Sequence, residues 1–244
     1  MISENLTTAF ALEEGSRHAP CNIATKAKKE GNSFVLNGEK TFVLDGHSAE
    51  KIIVAARTNG GNDQKLGITL FCIDSGTPGM EITRLSMLDS RNVAEIKLKN
   101  VNISSDCLLG KLDNGFSIIE EVLDRAQIGM SAEMLGNATQ AFEITLNYLK
   151  ERKQFGSLIG SFQALKHRAA IMYSELELTK SAVVGALNAV DEKSNDRTRF
   201  ASLAKFKAGE TLHLVSNESV QMHGGIGFTW DNDTHLWFKR AKRI

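Results

Sequence analysis

Near Asn114 the chain changes its hydrophobic period, and that change restricts the possible folds more than any other feature. From there Ile118, Ile119, Val122, Leu123, Ala126, Met130, Met134, Ala138, Phe142 and Leu146 recur mostly every three or four residues, the spacing of one helix face. The pattern resumes at Leu165, Ala169, Met172, Leu176, Val183, Leu187 and Val190. A third helix is expected through Phe200, Ala204, Ala208, Leu212, Val215 and Val220, with Asn195-Asp196 as its N-cap region. A last amphipathic piece is expected from about Asp233. Antiparallel helices with short joints make a bundle, and the two prolines, Pro20 and Pro78, leave this half uninterrupted.

Before the switch the chain reads as short strands. Ser33–Leu36, then Asn37-Gly38, then Lys40–Leu44 is a hairpin signal, because Asn-Gly takes the positive φ angles of a type I′ turn. Apolar runs follow at Ile52–Ala56, Ile68–Ile73 and Ala94–Leu98, the last alternating with charge as a strand with one wet face should. Asn59–Asp63 and Asp74–Gly79 are polar, glycine-bearing connections. The expected fold is α+β: an antiparallel β-barrel or sandwich over residues 1–112, then a four-helix-bundle-like domain over 113–244.

At 244 residues the chain can bury one large or two modest cores. Lysine plus arginine balance aspartate plus glutamate at 29 each, so no net field recommends nucleic acid or an anionic membrane. No apolar run approaches the roughly 20 residues of a membrane span, and no signal-peptide pattern follows Met1. Cys21, Cys72 and Cys107 are odd in number and lack metal-ligand spacing, as in reduced thiols of a cytoplasmic protein.

Two stretches carry chemistry. Glu151-Arg152-Lys153-Gln154-Phe155-Gly156, followed by Ser161-Phe162-Gln163, joins two helical patterns. Arg152 offers a planar fork of donors for carboxylate or phosphate oxygens, Phe155 an aromatic face, and Gln154 an amide. Gln163 opens the next helix, whose free N–H groups and dipole favour an anion. The same residues also suit a solvated turn with Phe155 tucked into the core. The second stretch is Gln221-Met222-His223-Gly224-Gly225-Ile226-Gly227-Phe228. It follows a helix instead of a strand and so fails the condition for a dinucleotide fingerprint. Its glycines either let backbone approach a ligand or merely stop a helix.

Together these stretches resemble the paired signature of the acyl-CoA dehydrogenase family. Phe10–Ser16 looks like that family's flavin-contacting loop, and Leu36–Lys40 with Phe42–Gly46 looks like its next segment. In pattern the chain is most similar to bacterial pimeloyl-CoA dehydrogenase small-subunit-like members. The resemblance implies an FAD-dependent oxidoreductase of lipid metabolism and fatty acid β-oxidation, forming a Cα–Cβ double bond in an acyl-CoA thioester. Electrons would leave to an acceptor such as electron-transfer flavoprotein. It implies that Arg152, Gln154, Phe155 and Gln163 reach FAD across a subunit interface of a homo- or hetero-oligomer, and that Gln221, Gly224 and Gly225 also line it.

Measured against that family, the chain is expected to lack the N-terminal helical domain and the extreme C-terminal segment, and therefore to turn over weakly in isolation. No catalytic base is assigned. Some relatives carry it where Ala126 stands, and Asp124 lies about 200° away around a helix. Asp124 is instead expected to be a solvated or CoA-contacting charge, with Arg125 beside it to neutralise it. Leu12 and Leu44 stand at family threonine positions, and His18 at a small hydroxyl position. A non-catalytic flavin- or CoA-binding subunit of a heteromeric dehydrogenase is the alternative.

Overall fold

The computed structural model describes residues 6–87 and 91–242. The chain divides into two compact units, Met1–Glu121 and Val122–Ile244.

The first unit holds β1 (Thr8–Ala11), β2 (Lys26–Glu30), β3 (Ser33–Leu44), β4 (Lys51–Arg57), β5 (Ile68–Asp74), β6 (Met80–Leu85), β7 (Val93–Ser104) and β8 (Leu108–Leu109). They form one sheet in the order β6-β7-β3-β2-β4-β5-β8, with β1 added beside β4. Pairing is antiparallel except for β1 on β4 and a single β2–β4 position. Alternating side chains of these strands, among them Phe34, Leu36, Val54, Phe71, Ile73, Ile96 and Val101, close one apolar core.

The Asn37-Gly38 hairpin is not what forms. β3 runs unbroken through both residues, the tip lies at Gly31-Asn32, and Asn37-Gly38 is an irregularity where the β3–β7 register shifts. A Cβ on Gly38 would stand 2.6 Å from the Thr25 Cα, so close backbone approach, not a turn, demands glycine here. Asn37 accepts a hydrogen bond from the Asn100 N–H of β7. An Asn-Gly pair serves a bulge as well as a turn, and pairing of β3 on both edges decides which.

The Asn59–Asp63 loop is exposed, as its composition predicts, but it wraps a buried cation. Arg57 is 5% exposed. It donates to the carbonyls of Cys21, Ile23, Asn62, Gln64 and Leu66.

Helix α1 (Gly115–Glu151) crosses the division between the units. After it come the short hairpin strands β9 (Lys153–Gln154) and β10 (Ser157–Leu158), then α2 (Gln163–Asp191), α3 (Arg197–His223) and α4 (Thr234–Ala241). Most of the periodic residues read from the sequence are buried or partly buried, but Val122, Ala126 and Leu187 lie exposed. Met134, Ala138, Phe142, Met172, Leu176, Ala208, Leu212 and Val215 form one cluster, and Ile128, Val183, Ala186, Ala201 and Ala204 a second. The Thr179 and Thr211 hydroxyls satisfy each other between α2 and α3 at 2.7 Å. Among the described residues no helix is long and apolar enough to cross a membrane.

Asp124 is not a solvated charge. It is 2% exposed, and its carboxylate accepts from Arg197 Nε and Thr198 Oγ1, both at 2.9 Å. Those residues open α3, whose N-cap Asp196 makes no side-chain cap bond. A carboxylate reaching in from α1 therefore supplies negative charge at this positive helix end.

Candidate functional site

Arg152 follows the last turn of α1, its N–H bonded to the Tyr148 carbonyl and its own carbonyl accepting from Ile159 N–H, each at 2.9 Å. The β9–β10 ladder pairs Gln154 with Ser157. Its two turn residues, Phe155 (φ 54°) and Gly156 (φ 77°), both have positive φ, as a type I′ turn requires. Phe155 is 92% exposed, and its ring lies edge-on to the Phe162 ring with centroids 6.3 Å apart. A positive φ costs a non-glycine residue about 1 kcal/mol, and here no core contact of Phe155 offsets it.

Gly160 lets the chain turn back. A Cβ there would stand 2.6 Å from the Leu149 carbonyl. Phe162 then begins α2 with no side-chain cap bond; the Leu165 N–H turns back to the Phe162 carbonyl, which leaves the N–H groups of Gln163 and Ala164 for an anion.

The glycine-rich stretch lies at the same end of the bundle. The His223 ring stacks on Tyr148 at 4.3 Å, and Tyr148 is one turn before Arg152. His223 is buried. Its Nδ1 donates to the Ser219 carbonyl at 2.7 Å, while Nε2 has no partner. Burial holds its pKa below the ordinary value, so it is a neutral packing residue. Gly224 (φ 66°) ends α3, its N–H bonded to the Val220 and Gln221 carbonyls, so it does act as a helix stop. Gly225 is different. It has no positive φ, and a Cβ there would meet nothing within 4 Å. Internal packing does not require glycine at that position, and the open space lies on the outer surface beside exposed Gln221.

The structure thus gathers both sequence-selected stretches, with Arg152, Gln154, Phe155, Gln163, Gln221, Gly224 and Gly225 all exposed. Tyr148, which joins them, escaped the sequence reading. Its only signal was the four-residue helical spacing to Arg152.

In the β unit, the loop after β1 carries Glu13 and Glu14. Glu14 binds the Ala24 and Thr25 N–H groups and the Lys40 ammonium, the last at 2.6 Å. Burial opposes its ionisation, but Lys40 and these donors hold its pKa below the ordinary carboxylate value. Lys40 is fully buried and also donates to the Leu12 carbonyl. Burial outweighs Glu14 and pulls its pKa down to about 8. Glu13 binds His18 Nδ1 at 2.6 Å and the Ala19 N–H. His18 therefore shapes this loop. Leu12 is buried, whereas Leu44 and Phe42 lie exposed on β3.

Comparison with known proteins decides the family. The acyl-CoA dehydrogenase middle-domain model matches residues 9–101, and the acyl-CoA dehydrogenase C-terminal-domain model matches residues 113–244. The chain belongs to the acyl-CoA dehydrogenase family. It is 31% identical to the rat short/branched chain specific acyl-CoA dehydrogenase over 99% of this chain and 56% of that one. With the caffeyl-CoA reductase–Etf complex subunit CarC of Acetobacterium woodii it shares 32% identity, over 93% of this chain and 61% of that one. Butyryl-CoA dehydrogenase from Megasphaera elsdenii superposes with a TM-score of 0.89 at 28% identity, covering 99% of this chain and 64% of that one. The chain therefore spans between about half and two thirds of these acyl-CoA dehydrogenase relatives.

Proposed function

We propose that this chain forms the β domain (residues 1–112) and helical domain (113–244) of a cytoplasmic FAD-dependent acyl-CoA dehydrogenase, acting on an acyl-CoA thioester to give the 2-enoyl-CoA. The observation that carries the reading is the exposed end of the bundle, where Arg152, strained Phe155, the uncapped start of α2 and the open Gly225 surface lie together. These groups fit a dinucleotide. The Arg152 fork and the α2 N–H groups suit pyrophosphate oxygens. The Phe155 ring suits a flat heterocycle, and Gln163 and Gln221 supply amides. Their exposure suits donation to a neighbouring subunit's cofactor, so the active form is an oligomer.

Bound FAD would supply the hydride acceptor. The chain's own residues bind and orient. The Glu14–Lys40 pair fixes the loop after β1, and β3 presents Phe42 and Leu44 on its outer surface. Asp124 is committed to Arg197 and Thr198 and does not take the substrate's α-proton. Electron-transfer flavoprotein suits the acceptor role, since CarC is named as part of an Etf complex.

The test uses the complete gene product. It should purify with FAD, and its visible flavin absorbance should bleach anaerobically with at least one saturated acyl-CoA in a series from short to long chains. A flavin-free protein, or no bleaching across the series, would overturn the proposal.

A further inference from the structure

The strand register brings two of the three cysteines to one place. β5 and β8 are antiparallel neighbours, with Leu70 opposite Leu109 and Phe71 opposite Leu108. Cys72 follows Phe71 and Cys107 precedes Leu108, so the two cysteines flank the last register pair. Were the ladder continued by one step, their Cα atoms would stand about 4.5–5.5 Å apart. A disulfide bridges Cα separations of roughly 4.4–6.8 Å. Cys107 ends the short 3-10 turn Ser105–Cys107, and both cysteines are free and only partly buried.

The two thiols also share charged neighbours. Asp74 follows Cys72 by two residues and so shares its side of β5. Lys51 lies opposite Asp74 in the β4–β5 register and pairs with it at 2.7 Å. Asp74 chiefly raises the Lys51 pKa, and both thiols add to the effect. Burial, then Asp74, Cys72 and Asp106, push the Cys107 thiol up, against Lys51. Cys21, in the segment between β1 and β2, belongs to neither of these strands.

We infer that Cys72 and Cys107 form a reversible dithiol–disulfide couple, a modification site oxidised by a small disulfide of the glutathione type. The first attack falls to Cys72, because burial keeps Cys107 protonated. The Cys72 thiolate attacks one sulfur of glutathione disulfide, expels a glutathione thiolate and leaves a mixed disulfide. Cys107 gives its proton to the expelled thiolate and attacks the Cys72 sulfur, releasing the second glutathione. Two protein thiols are oxidised and one glutathione disulfide is reduced to two thiols. The bond would fasten β8 to β5, which two register pairs now hold together.

The native full-length protein is incubated with oxidised glutathione, quenched with an alkylating agent and digested for mass mapping. Free thiols within this chain should fall from three to one. A Cys72–Cys107-linked peptide should appear, two hydrogen masses lighter than its parts, and dithiothreitol should remove it. Cys21→Ser should keep the link, whereas Cys72→Ser and Cys107→Ser should each abolish it. The inference is overturned if three thiols still alkylate, if Cys72 and Cys107 carry only separate glutathione adducts, or if Cys21 supplies one end of the bond.

Discussion

Asp124, buried in α1, holds the first turn of α3 through Arg197 at 2.9 Å, and the same carboxylate oxygen accepts from Thr198. The contact joins residues 73 positions apart and ties the start of α3 to the early part of α1. Removing one partner of a buried pair costs about 3–5 kcal/mol. The Arg197 side chain is 24% exposed and can turn to water. Asp124→Ala should therefore destabilise the helical unit by about 2–4 kcal/mol. Urea unfolding followed by helical circular dichroism measures it. Asp124→Asn should lose less, and flavin reduction by acyl-CoA in the folded Asn variant should proceed at a near-normal rate. A catalytic base would instead cost around 10²–10⁴ in rate.

Arg57 gives a second stability test. Five carbonyls converge on its guanidinium, and Arg57→Ala would leave several of them without donors. An unsatisfied buried acceptor costs about 1–3 kcal/mol, and water entering the gap would relieve part of the sum. A loss of about 3–5 kcal/mol in the β unit is expected, with faster proteolysis across residues 59–66. Lysine should rescue little, because one ammonium cannot span acceptors in five directions.

These two residues also mark what was legible in the sequence. Period shows which face of a helix is buried, so most of the helical core could be read from spacing, although Val122, Ala126 and Leu187 fit the pattern and lie exposed. The positions of α1, α2 and α3 followed from the same pattern. Partners distant in sequence leave no such trace. Nothing near Asp124 points to Arg197, and Arg57 looks like any strand-end charge. β2 escaped for a related reason. Lys-Ala-Lys-Lys-Glu buries only Ala27, and its strand character comes from pairing with β3, not from its own pattern. Asn37-Gly38 was misread because local propensity cannot tell a turn from a bulge within a longer strand. The candidate stretches stood out through their resemblance to the paired family signature and not through composition, since Arg152, Gln163 and Gln221 are ordinary residues for exposed helix ends and also suit a solvated turn.

The Glu14–Lys40 pair predicts an unusual alkaline response. Folding lowers the Lys40 pKa from 10.5 to about 8. Between those values the unfolded chain holds a proton that the folded chain has released, so rising pH favours the folded state. The slope approaches about 1.4 kcal/mol per pH unit. The contribution is complete above pH 10.5 and lost as pH falls through about 8. Glu14 acts on the acid side. Its lowered pKa contributes stability that is lost as pH falls below the ordinary 4.5. The measurement is wild type against Lys40→Met, by chemical unfolding from pH 7 to about 10.5. The stability difference should shift toward wild type by about 2–4 kcal/mol across that range. A flat difference would mean that Lys40 titrates as an ordinary lysine.

Arg152 tests the site itself. If its fork grips the FAD pyrophosphate, Arg152→Ala should weaken flavin retention in the assembled full-length protein while leaving helical content nearly unchanged, since the side chain is exposed. A charge-assisted hydrogen bond to phosphate is worth about 1.5–3 kcal/mol, so affinity should fall on the order of ten- to a hundredfold. Lysine should rescue in part, keeping the charge without the planar fork. Phe155→Gly supplies the companion measurement. It relieves the positive φ at the hairpin tip, so stability should hold or rise by about 1 kcal/mol while flavin retention falls with loss of the ring. Bound flavin per subunit after dilution and desalting reads both variants. Unchanged occupancy in the two would make the hairpin between α1 and α2 an ordinary connection.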